Sequence, residues 1–595
     1  MENEVRNALT VGAAKGAGCH SAYEGQTMTG AQSIIAALEC EGVSHVFGYP
    51  GAQAIAIYDA LYDSKQITHV LARHEQAAVH EADGFARSTG CVGVALVTSG
   101  PGATNTVTGI ANAYLDSIPL VVITGQVPSH VIGTDAFQES DTISITMPVV
   151  KHSYLAQSAE DLPRIIREAF HIAITGRPGP VVIDVPSDVA GQTLVFKYPE
   201  KVNIPSYKPT YKCNAKQVKA ACALIEQSEK PVIIAGGGVI SSGAERELAA
   251  LAQTVDAPVA VTLMGKGAFP NNDVRCLGAV GMHGSDRSNA ALMESDLLIA
   301  VGSRLSDRVT GNMEKFAPGA KLIHIDIDPA EIGKLREADV PIVGDAGAVL
   351  AGMLSQLQKD EYTGDHTAWW KQINGKNGLV APAEQGDAID ACACMEALGV
   401  RLAEEEKAGK RTIVTTEVGQ HQMWAAQYLP RNASRSFLSS GGLGAMGFGF
   451  PAAIGASLAC PEAQVICVAG DGSLQMNIQE MATARAYNAP VKVLLMDNGC
   501  LGMVHQWQQY FYDGRYSQTE LDFNPDFSAL AAAYGWKGRR VETSKQFGEA
   551  LDEMLACDGP YLLDVAIPVN KTVLPMVQPG SGLLDRVKTD LVEGE

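Results

Sequence analysis

Short apolar runs alternate with longer amphipathic stretches along the chain. In its first part the runs are rich in β-branched residues and lie at 45–47, 94–97, 120–123 and 181–184. Ala-rich segments with helical periodicity separate these runs. Strands that alternate with helices in this way predict a parallel sheet flanked by helices.

The same alternation starts again twice further along. A second series of apolar runs lies at 231–235, 297–301 and 322–326, and a third lies at 413–415, 465–469, 491–495 and 561–565. Polar stretches separate the series, so the predicted fold class is α/β, with three domains of parallel sheets flanked by helices. The layout of the first and third series suggests distant structural copies of one unit.

The polar stretches also set the predicted domain boundaries. The segments are a flexible leader at 1–27, a first domain at 28–194, a central domain at 195–357, a linker at 358–388, and a third domain with the C-terminal tail at 389–595. Because 595 residues exceed what one hydrophobic core usually supports, several domains are expected on length alone.

Composition and charge narrow the class of protein. Hydrophobic residues make up 46% and charged residues 19%, which is ordinary for a folded soluble protein. A formal net charge of -21 without a long Lys/Arg run argues against nucleic acid or an anionic membrane surface as a partner. Residues 1–27 have neither the apolar core of a signal peptide nor the composition of a transit peptide. With no apolar stretch near the roughly 18 residues that span a bilayer, we expect a cytoplasmic protein.

One strand of the third series runs directly into the segment Gly470-Asp471-Gly472-Ser473. Open α/β sheets bind ligands at the carboxyl ends of their strands, and Asp471 offers a carboxylate there. Asn498 lies 27 positions later, after the next strand, and adds an amide oxygen and a following backbone carbonyl. Because Mg²⁺ prefers oxygen ligands, often carboxylates together with substrate phosphates, these strand ends predict a metal-diphosphate site. An isolated Gly-Asp-Gly segment would more often be an ordinary tight turn.

Polar residues also follow two other predicted strands. Gln420 and His421 come after a glycine behind the run at 413–415, where they fit either a diphosphate site or a plain strand-to-helix connection. Glu75 opens an Ala-rich helix, where its charge favours the helix dipole without any catalytic role. The residues alone leave these alternatives open.

Ten stretches, in chain order, match the motifs of one enzyme family. They are GYPGAQ (48–53), RHEQ (73–76), TSGPGATN (98–105), GTDAFQE (133–139), GMHG (281–284), SDRVTG (306–311), GQHQMW (419–424), GGLGAMGFG (441–449), GDGSLQMN (470–477) and LGMVHQWQ (501–508). Together they resemble the thiamine diphosphate enzymes and, over about residues 28–580, the catalytic subunits of acetolactate (acetohydroxyacid) synthase.

The resemblance implies a function for each domain. The first would bind the pyrimidine of thiamine diphosphate, the third its diphosphate and Mg²⁺, and the central domain would be Rossmann-like and bind FAD. The implied reaction decarboxylates pyruvate and transfers the two-carbon unit to a second pyruvate or to 2-ketobutyrate, in the biosynthesis of valine, leucine and isoleucine.

The resemblance also implies residue roles around thiamine diphosphate. Glu75 would hydrogen-bond the aminopyrimidine, and Met446 would hold the two rings together, with core packing as the alternative for Met446. The other implied cofactor contacts are Gly51, Gln420, His421, Gly472 and Ser473. The implied ligands of Mg²⁺ are Asp471, Asn498 and, through its backbone carbonyl, Cys500.

A further set of residues would bind the substrates. Arg308 resembles the binder of the second acid's carboxylate, since a guanidinium grips both oxygens, and a surface ion pair is the alternative. Met503 and Trp507 lie four apart on a predicted helix, so one face would bring both to a pocket that favours 2-ketobutyrate, although this spacing is usual for core residues. Phe137 and Gln138 would line the same cavity.

Glycines in the central domain suggest a second cofactor. A strand leads into the glycines at 236–238, where a backbone is able to approach a diphosphate, but this motif is weak by itself. The resemblance implies FAD with a structural rather than a redox role. The implied contacts are Gly236, Gly237, Gly265, Met282, His283, Arg304, Asp326 and Asp345.

The resemblance has departures and rivals. Ser187 stands where the family usually has a lysine, which removes a cation from the wall of the substrate channel, and 497–500 is also less typical. Family geometry implies a homodimer or tetramer with active sites between chains, and a possible small regulatory subunit. The rival interpretations are a flavin-free thiamine diphosphate lyase or carboligase, and a noncatalytic cofactor-binding scaffold.

Overall fold

Three six-stranded sheets, one in each predicted domain, form the frame of the protein. The structure is a computed structural model that describes residues 20–379 and 387–587. Most of the predicted leader and part of the predicted linker lie outside the described residues. All neighbouring strands within the three sheets are parallel, which confirms the predicted fold class.

The first domain carries eight strands and nine helices among the described residues. Its strands are β1 (Thr27–Thr29), β2 (His45–Tyr49), β3 (Thr68–Leu71), β4 (Gly93–Val97), β5 (Leu120–Gln126), β6 (His152–Leu155), β7 (Pro180–Pro186) and β8 (Thr193–Val195). Its helices are α1 (His20–Tyr23), α2 (Gly30–Cys40), α3 (Ile55–Tyr62), α4 (Glu75–Thr89), α5 (Pro101–Thr104), α6 (Val107–Asp116), α7 (Thr142–Thr146), α8 (Leu162–Ile174) and α9 (Ser187–Gly191).

The central domain follows with six strands. They are β9 (Pro231–Ala235), β10 (Val259–Val261), β11 (Cys276–Ala279), β12 (Leu297–Val301), β13 (Lys321–Asp326) and β14 (Val340–Val343). Its helices are α10 (Ala215–Gln227), α11 (Gly237–Ser242), α12 (Glu245–Val255), α13 (Asp286–Glu294), α14 (Asp307–Thr310), α15 (Ala346–Lys359) and α16 (Thr367–Asn374).

The third domain completes the described chain. Its strands are β15 (Thr412–Thr416), β16 (Phe437–Ser439), β17 (Gln464–Gly470), β18 (Lys492–Asp497), β19 (Lys537–Val541) and β20 (Tyr561–Ala566). Its helices are α17 (Ala391–Lys407), α18 (Gln420–Tyr428), α19 (Gly449–Ala459), α20 (Asp471–Leu474), α21 (Met481–Ala486), α22 (Gly502–Phe511), α23 (Phe527–Ala533) and α24 (Ser544–Ala556).

Strand order distinguishes the central domain from the other two. The central sheet runs β11-β10-β9-β12-β13-β14, which is the Rossmann order 3-2-1-4-5-6. The first sheet runs β3-β2-β4-β5-β7-β6 and the third β16-β15-β17-β18-β20-β19, so both follow the order 2-1-3-4-6-5 in their own strands. The first and third domains therefore share one topology, as their sequence layout suggested.

The strands follow from continuous apolar runs. β5, β7, β9, β12 and β17 are buried along their whole length, because helices cover both faces of a parallel sheet. Local caps fix the helices between them: Thr29 and Gln32 form a capping box at the start of α2, and Gly90, with φ of 80°, ends α4. None of the helices in the described ranges is both long and apolar enough to cross a membrane.

The predicted linker at 358–388 is in part a packed element. Helix α16 lies inside it, and Trp369 and Ile373 of that helix are buried in the apolar core of the central domain. The Trp369 Nε1 donates to the carbonyl of Pro231 at 3.2 Å. The central domain therefore extends beyond its predicted end at 357. The sequence did not indicate this, because a helix with only two buried side chains has the composition of a linker.

Candidate active site and cofactor sites

Two neighbouring strands bring the predicted metal ligands to one edge of the third sheet. β17 ends at Gly470 and β18 at Asp497, and Gly470 pairs with Met496 in the register of the two strands. Asp471, which is buried, therefore lies beside the end of β18 and close to Asn498. The carboxyl edge of a parallel sheet is where α/β proteins bind ligands.

The loop after Asn498 holds the third predicted ligand. The Cys500 N–H donates to the Asn498 Oδ1 at 3.4 Å, and Cys500 forms an antiparallel bridge with Glu520. The Asn498 Nδ2 donates to the Gln420 Oε1 at 3.1 Å, which connects the metal end of the site with the helix that follows β15. The thiol of Cys500 is buried, so only its backbone carbonyl suits the predicted ligand role.

Asp471 is a buried carboxylate next to a second one. Burial is the main reason that the pKa of Asp471 is raised to about 7; a hydrogen bond from Asn524 lowers the pKa and the charge of Asp497 raises it. Within the described residues, no group of three or more His, Cys, Asp or Glu side chains is arranged to hold a metal. The predicted site instead combines one carboxylate, one amide and one carbonyl with phosphate oxygens, a donor set that suits Mg²⁺.

Gln420 and His421 begin helix α18, directly after Gly419 with its φ of 155°. A Cβ atom at Gly470 would lie 2.6 Å from the His421 Nδ1, so the imidazole rests against the end of β17. The His421 Nε2 is buried and has no hydrogen-bond partner among the described residues. Burial lowers the pKa of His421 to about 3, so the ring is neutral. A buried nitrogen without a partner fits a site that a polar ligand completes.

Met446 lies over the same strand end. A Cβ atom at Gly472 would lie 3.9 Å from the Met446 Cε and 2.6 Å from the Leu501 Cδ2. The Ser473 Oγ donates to the carbonyl of Gly470 at 3.2 Å. The structure therefore gathers Met446, Gly472 and Ser473 around the end of β17, where a Cβ atom at position 472 would require the Leu501 side chain to move.

Glu75 is the first residue of α4 in the first domain and is half-buried. The Asn105 Nδ2 donates to the Glu75 Oε2 at 2.9 Å. A Cβ atom at Gly102 would lie 3.6 Å from the Glu75 Oε1 and 2.7 Å from the Thr98 Cγ2, and one at Gly51 would lie 2.5 Å from the Thr98 Cβ. Glu75 and Gly51 thus both lie near Thr98, whose hydroxyl is buried without a partner in the described part of the chain.

Phe137 and Gln138 lie on a loop of the first domain. Gln138 has φ of 61°, and its carbonyl would be 2.8 Å from a Cβ atom at Gly100. Phe137 is 86% exposed. Neither side chain lines the cavity that Met503 and Trp507 share, so one chain by itself does not bring these four predicted substrate residues together.

The first and third domains meet through two helices that are in backbone contact. A Cβ atom at Gly84 of α4 would lie 2.1 Å from the carbonyl oxygen of Ala452 in α19. A Cβ atom at Gly455 of α19 would lie 1.8 Å from the carbonyl oxygen of Glu81 in α4. Glu81 of α4 contacts Gly455 of α19, whereas Gly84, later in α4, contacts Ala452, earlier in α19. The two helices therefore run antiparallel.

This antiparallel pair separates Glu75 from the metal end within one chain. Glu75 begins α4 and so lies toward the C-terminal end of α19. The N-terminal end of α19 lies near the diphosphate-side residues instead. A Cβ atom at Gly449 would lie 2.4 Å from the backbone nitrogen of Glu417, three residues before Gln420. The 11 residues of α19 span about 16 Å. The pyrimidine-side and diphosphate-side residues of one chain therefore face different regions.

The predicted FAD residues of the central domain surround the carboxyl edge of its sheet. A Cβ atom at Gly236 would lie 2.1 Å from the carbonyl oxygen of Gly302, and one at Gly265 would lie 2.1 Å from that of Ala235. Close backbone packing therefore explains the glycines at 236 and 265 without any ligand. Gly237 has more room, with the Met264 Cβ at 3.2 Å.

A cavity of about 2000 Å³ opens on this edge. Seven of the predicted FAD residues line it: Gly236, Gly237, Met282, His283, Arg304, Asp326 and Asp345. Gly265 lies behind the cavity wall. Because sites for drug-sized ligands measure about 300–1,000 Å³, this cavity has room for an extended dinucleotide.

Three titratable groups in this cavity are perturbed by burial. Burial lowers the pKa of His283 to about 4 and raises the pKa values of Asp326 and Asp345. The Asp326 Oδ1 accepts from the Asp328 N–H at 2.9 Å, and the Asp345 Oδ1 accepts from the Ala348 N–H at 3.0 Å. Both aspartates are thus oriented by their own loops.

The same cavity continues into the third domain. Met446, Met503 and Trp507 line it there, so the two residues of α22 share a face, as their spacing predicts. Trp507 packs on Phe511 with ring centroids 5.4 Å apart. The residues predicted to bind FAD and those predicted to bind the acceptor acid therefore line one continuous cavity.

Arg308 lines this cavity from the central domain. Its guanidinium lies 3.6 Å from the Met282 Sδ and 3.8 Å from Asp307, and its side chain is 61% exposed. An exposed ion pair of that length contributes little to stability, so Arg308 keeps a charge that is able to bind an anion.

Family models match all three domains. The N-terminal TPP-binding domain of thiamine pyrophosphate enzymes matches residues 28–145, the central domain matches 218–353, and the C-terminal TPP-binding domain matches 417–565.

Curated relatives are similar over nearly the whole chain. The probable acetolactate synthase large subunit of Methanocaldococcus jannaschii is 51% identical, over 95% of this chain and 96% of the relative. The acetolactate synthase of Mycobacterium bovis is 48% identical, over 93% and 91%. The acetolactate synthase large subunit of Buchnera aphidicola is 46% identical, over 94% and 98%. The chain belongs to the acetolactate synthase large-subunit family.

Membership of the acetolactate synthase family confirms the resemblance drawn from the ten motifs. It also confirms the three-domain architecture, because the three thiamine pyrophosphate enzyme domains match successive parts of the chain, and each part contains most of the strands of one sheet. The roles of individual residues stay predictions.

Sequence reasoning gave no role to several polar residues around the candidate site. Asn105 hydrogen-bonds Glu75 and ends one of the quoted motifs, so the motif contained it without giving it a role. Glu417 is fully buried, accepts from the N–H groups of Gly447 and Phe450 at 2.7 and 3.0 Å, and has its pKa raised to about 7 by burial. Asn524 contacts Asp471 from outside every motif, so no sequence pattern marks it.

Proposed function

We propose that the protein is a cytoplasmic acetolactate synthase. It decarboxylates pyruvate and joins the two-carbon unit to a second pyruvate or to 2-ketobutyrate, giving 2-acetolactate or 2-aceto-2-hydroxybutyrate for branched-chain amino acid biosynthesis. The observation that carries the proposal is that Asp471 and Asn498 follow the ends of two adjacent strands in a chain that also keeps Glu75 hydrogen-bonded to Asn105.

The third domain would hold Mg²⁺ and the diphosphate. Asp471, Asn498 and the Cys500 carbonyl supply oxygens to the metal. The diphosphate contacts are Gln420, His421, Gly472 and Ser473, and the unpartnered Nε2 of His421 supports this placement. Thiamine diphosphate, when bound, supplies the carbon that takes up the two-carbon unit.

The first domain would bind the aminopyrimidine end. Glu75 holds a hydrogen bond to the ring, next to Gly51, and Asn105 fixes the orientation of the carboxylate from behind. Met446 supports the cofactor from the third domain. A carboxylate in this position keeps a proton on the ring nitrogen, which is the chemical task of Glu75.

The substrates would enter the large cavity. Arg308 binds the carboxylate of the acceptor acid, since its charge is not engaged by a close partner. Met503 and Trp507 form the apolar wall for the acceptor side chain, and Phe137 and Gln138 complete the wall from another chain. A 2-ketobutyrate side chain is one methylene longer than that of pyruvate, so the wall favours it by contact area.

FAD would occupy the central part of the cavity with a structural role. Its contacts would be the predicted residues that line the cavity, namely Gly236, Gly237, Met282, His283, Arg304, Asp326 and Asp345, whereas the predicted contact Gly265 does not line it. The support is the Rossmann strand order together with a cavity large enough for a dinucleotide at the carboxyl edge of that sheet.

Each active site would form between two chains of a homodimer or tetramer. The antiparallel α4–α19 pair holds Glu75 away from Asp471 of the same chain, and Phe137 is left exposed. A second chain would place its own Glu75 and Phe137 opposite the Asp471 of the first chain. A small regulatory subunit is a further proposed partner, drawn from the large-subunit name of the relatives.

The direct test is an assay of purified protein with pyruvate, with and without 2-ketobutyrate. We expect acetolactate formation that requires both thiamine diphosphate and Mg²⁺, and a yellow protein that loses activity when FAD is removed. The Glu75→Gln variant should bind thiamine diphosphate but form no acetolactate. A colourless protein that is fully active without FAD would favour a flavin-free carboligase, and cofactor binding without any turnover would favour a noncatalytic scaffold.

A further inference from the structure

Two carboxylates stand side by side at the metal end of the third sheet. Asp471 follows β17 and Asp497 ends β18, and the strand register places them next to each other. Two neighbouring carboxylates repel each other unless other groups compensate their charges. Without such groups, the repulsion would also turn the side chain of a metal ligand away from a fixed orientation.

Arg540 compensates Asp497. The Arg540 Nη1 lies 2.7 Å from the Asp497 Oδ2 and 2.7 Å from the Asp564 Oδ2, so one guanidinium bridges two acids on adjacent strands. Among the described ion pairs of Arg540, none reaches Asp471. Arg540 therefore pairs with Asp497 and leaves Asp471 for a different positive charge.

Asn524 lies between the two carboxylates. Its Nδ2 donates to the Asp471 Oδ2 at 2.7 Å and to the Asp497 Oδ1 at 3.2 Å. An amide nitrogen carries two hydrogens, so one group satisfies one oxygen of each acid. It does so without adding a charge that would repel a metal cation.

Gln475 fixes which way the Asn524 amide points. The Gln475 Nε2 donates to the Asn524 Oδ1 at 3.1 Å and to the Asp471 carbonyl at 3.0 Å. A flipped Asn524 amide would set its oxygen against two carboxylates and its nitrogen against another donor. The hydrogen-bond network therefore allows one orientation only.

The segment that carries Asn524 is tied to the loop after Asn498. The Leu501 N–H donates to the Thr519 carbonyl at 2.7 Å, and the Leu521 N–H donates to the Gly499 carbonyl at 2.8 Å. Backbone hydrogen bonds thus hold the segment before Asn524 against the loop that follows β18, and the Asn524 side chain binds Asp471 at the end of β17.

We propose that Asn524 is a positioning residue of the metal site, which binds one oxygen of Asp471 and one of Asp497 and so holds the Asp471 carboxylate in the orientation that leaves its Oδ1 for Mg²⁺. This inference rests on the metal-diphosphate site of the proposed function and on no other part of it. Gln475 supports the same role by orienting the amide, and Arg540 supports it by occupying Asp497.

The test is the affinity of the full-length protein for Mg²⁺. We would titrate Mg²⁺ in the presence of saturating thiamine diphosphate and follow tryptophan fluorescence. Asn524→Ala should raise the Kd for Mg²⁺ by about 10- to 100-fold, the usual cost of losing a partner of a metal ligand. At saturating Mg²⁺ its kcat should return to near the wild-type value. An unchanged Kd would overturn the proposal.

Further variants separate positioning from a structural role. Gln475→Ala should weaken Mg²⁺ binding in the same direction but less. Asn524→Leu keeps about the same side-chain shape but has no donor, so it should weaken Mg²⁺ binding as much as Asn524→Ala; a Kd near the wild-type value in Asn524→Leu would overturn the hydrogen-bonding role. Asn432→Ala is the matched control, since this half-buried asparagine accepts from the Asn272 N–H at 3.3 Å in another part of the chain.

The outcomes also distinguish this inference from the proposed function. A wild-type protein that binds Mg²⁺ with thiamine diphosphate, yet forms no acetolactate, would contradict the function and leave the Asn524 comparison valid. An active wild-type enzyme with an unchanged Kd in Asn524→Ala would contradict the inference alone.

Discussion

Gly84 of the first domain packs directly on the backbone of Ala452 in the third, with a hypothetical Gly84 Cβ only 2.1 Å from the Ala452 carbonyl oxygen. This contact fixes how the two thiamine pyrophosphate-binding domains of one chain are joined. It sets α4 antiparallel to α19, and that direction turns Glu75 away from the metal end of its own chain. The proposed two-chain active site depends on this single helix pair.

Substitution of Gly84 by alanine tests the importance of that contact. The added methyl group cannot be accommodated without moving α4 from α19, so we expect a loss of about 1–3 kcal/mol in the free energy of unfolding, measured by urea denaturation. Gly548→Ala is the control, because this glycine lies in helix α24 with nothing within 4 Å of a Cβ atom. It should gain about 0.4–1 kcal/mol. Equal effects of the two substitutions would show that the close contact is unimportant.

The sequence predicted the buried central strands well because these are continuous apolar runs, but it missed strands such as β6 and β19, whose residues are partly polar and exposed. Runs such as 231–235 and 297–301 coincide with β9 and β12, since burial on both faces leaves little choice of residue. Helix α16 was taken as linker because only Trp369 and Ile373 of its eight residues are buried.

The candidate site shows the same contrast. Asp471 and Asn498 were predictable because each follows a strand that the apolar pattern marks. Asn524 is 53 positions from Asp471 and Arg540 is 43 positions from Asp497, and no local pattern records such contacts. Their placement depends on the folded arrangement of four strands.

Trp507 is expected to control the choice of acceptor. Trp507→Leu should remove part of the apolar wall, and we expect the preference for 2-ketobutyrate over pyruvate to fall by about 10-fold or more. The measurement is the ratio of the two acetohydroxy acids formed when both acceptors compete. Trp370→Leu is the matched control, because Trp370 is also half-buried but lies in α16, where its Nε1 bonds Asp256. A product ratio that changes equally in both variants would remove Trp507 from the acceptor wall.

Asp184 should make stability depend on pH. Burial raises its pKa to about 7, although Thr124 and Gln126 donate hydrogen bonds to it. Because the unfolded value is about 4, the folded state binds more protons between pH 4 and 7, so the free energy of unfolding falls as pH rises through that window.

Asp184→Asn should make this decline shallower, by up to about 1.4 kcal/mol per pH unit. Urea denaturation between pH 5 and 8 measures the slope. Asp188→Asn is the control: hydrogen bonds with Ser129 help hold the pKa of this exposed carboxylate below its usual value, so it stays ionised across the window. A slope that Asp184→Asn leaves unchanged would mean that Asp184 is ionised in the folded protein.

The central claim is an acetolactate synthase whose active site takes Glu75 from one chain and Asp471 from another. Glu75→Gln and Asp471→Asn chains, each carrying a different affinity tag, can be co-expressed and isolated as mixed dimers. Each variant alone should be inactive, whereas the mixed dimer contains one site with both wild-type residues and should form acetolactate at about half the wild-type rate. Mixed dimers as inactive as the single variants, or a fully active monomer, would contradict the account.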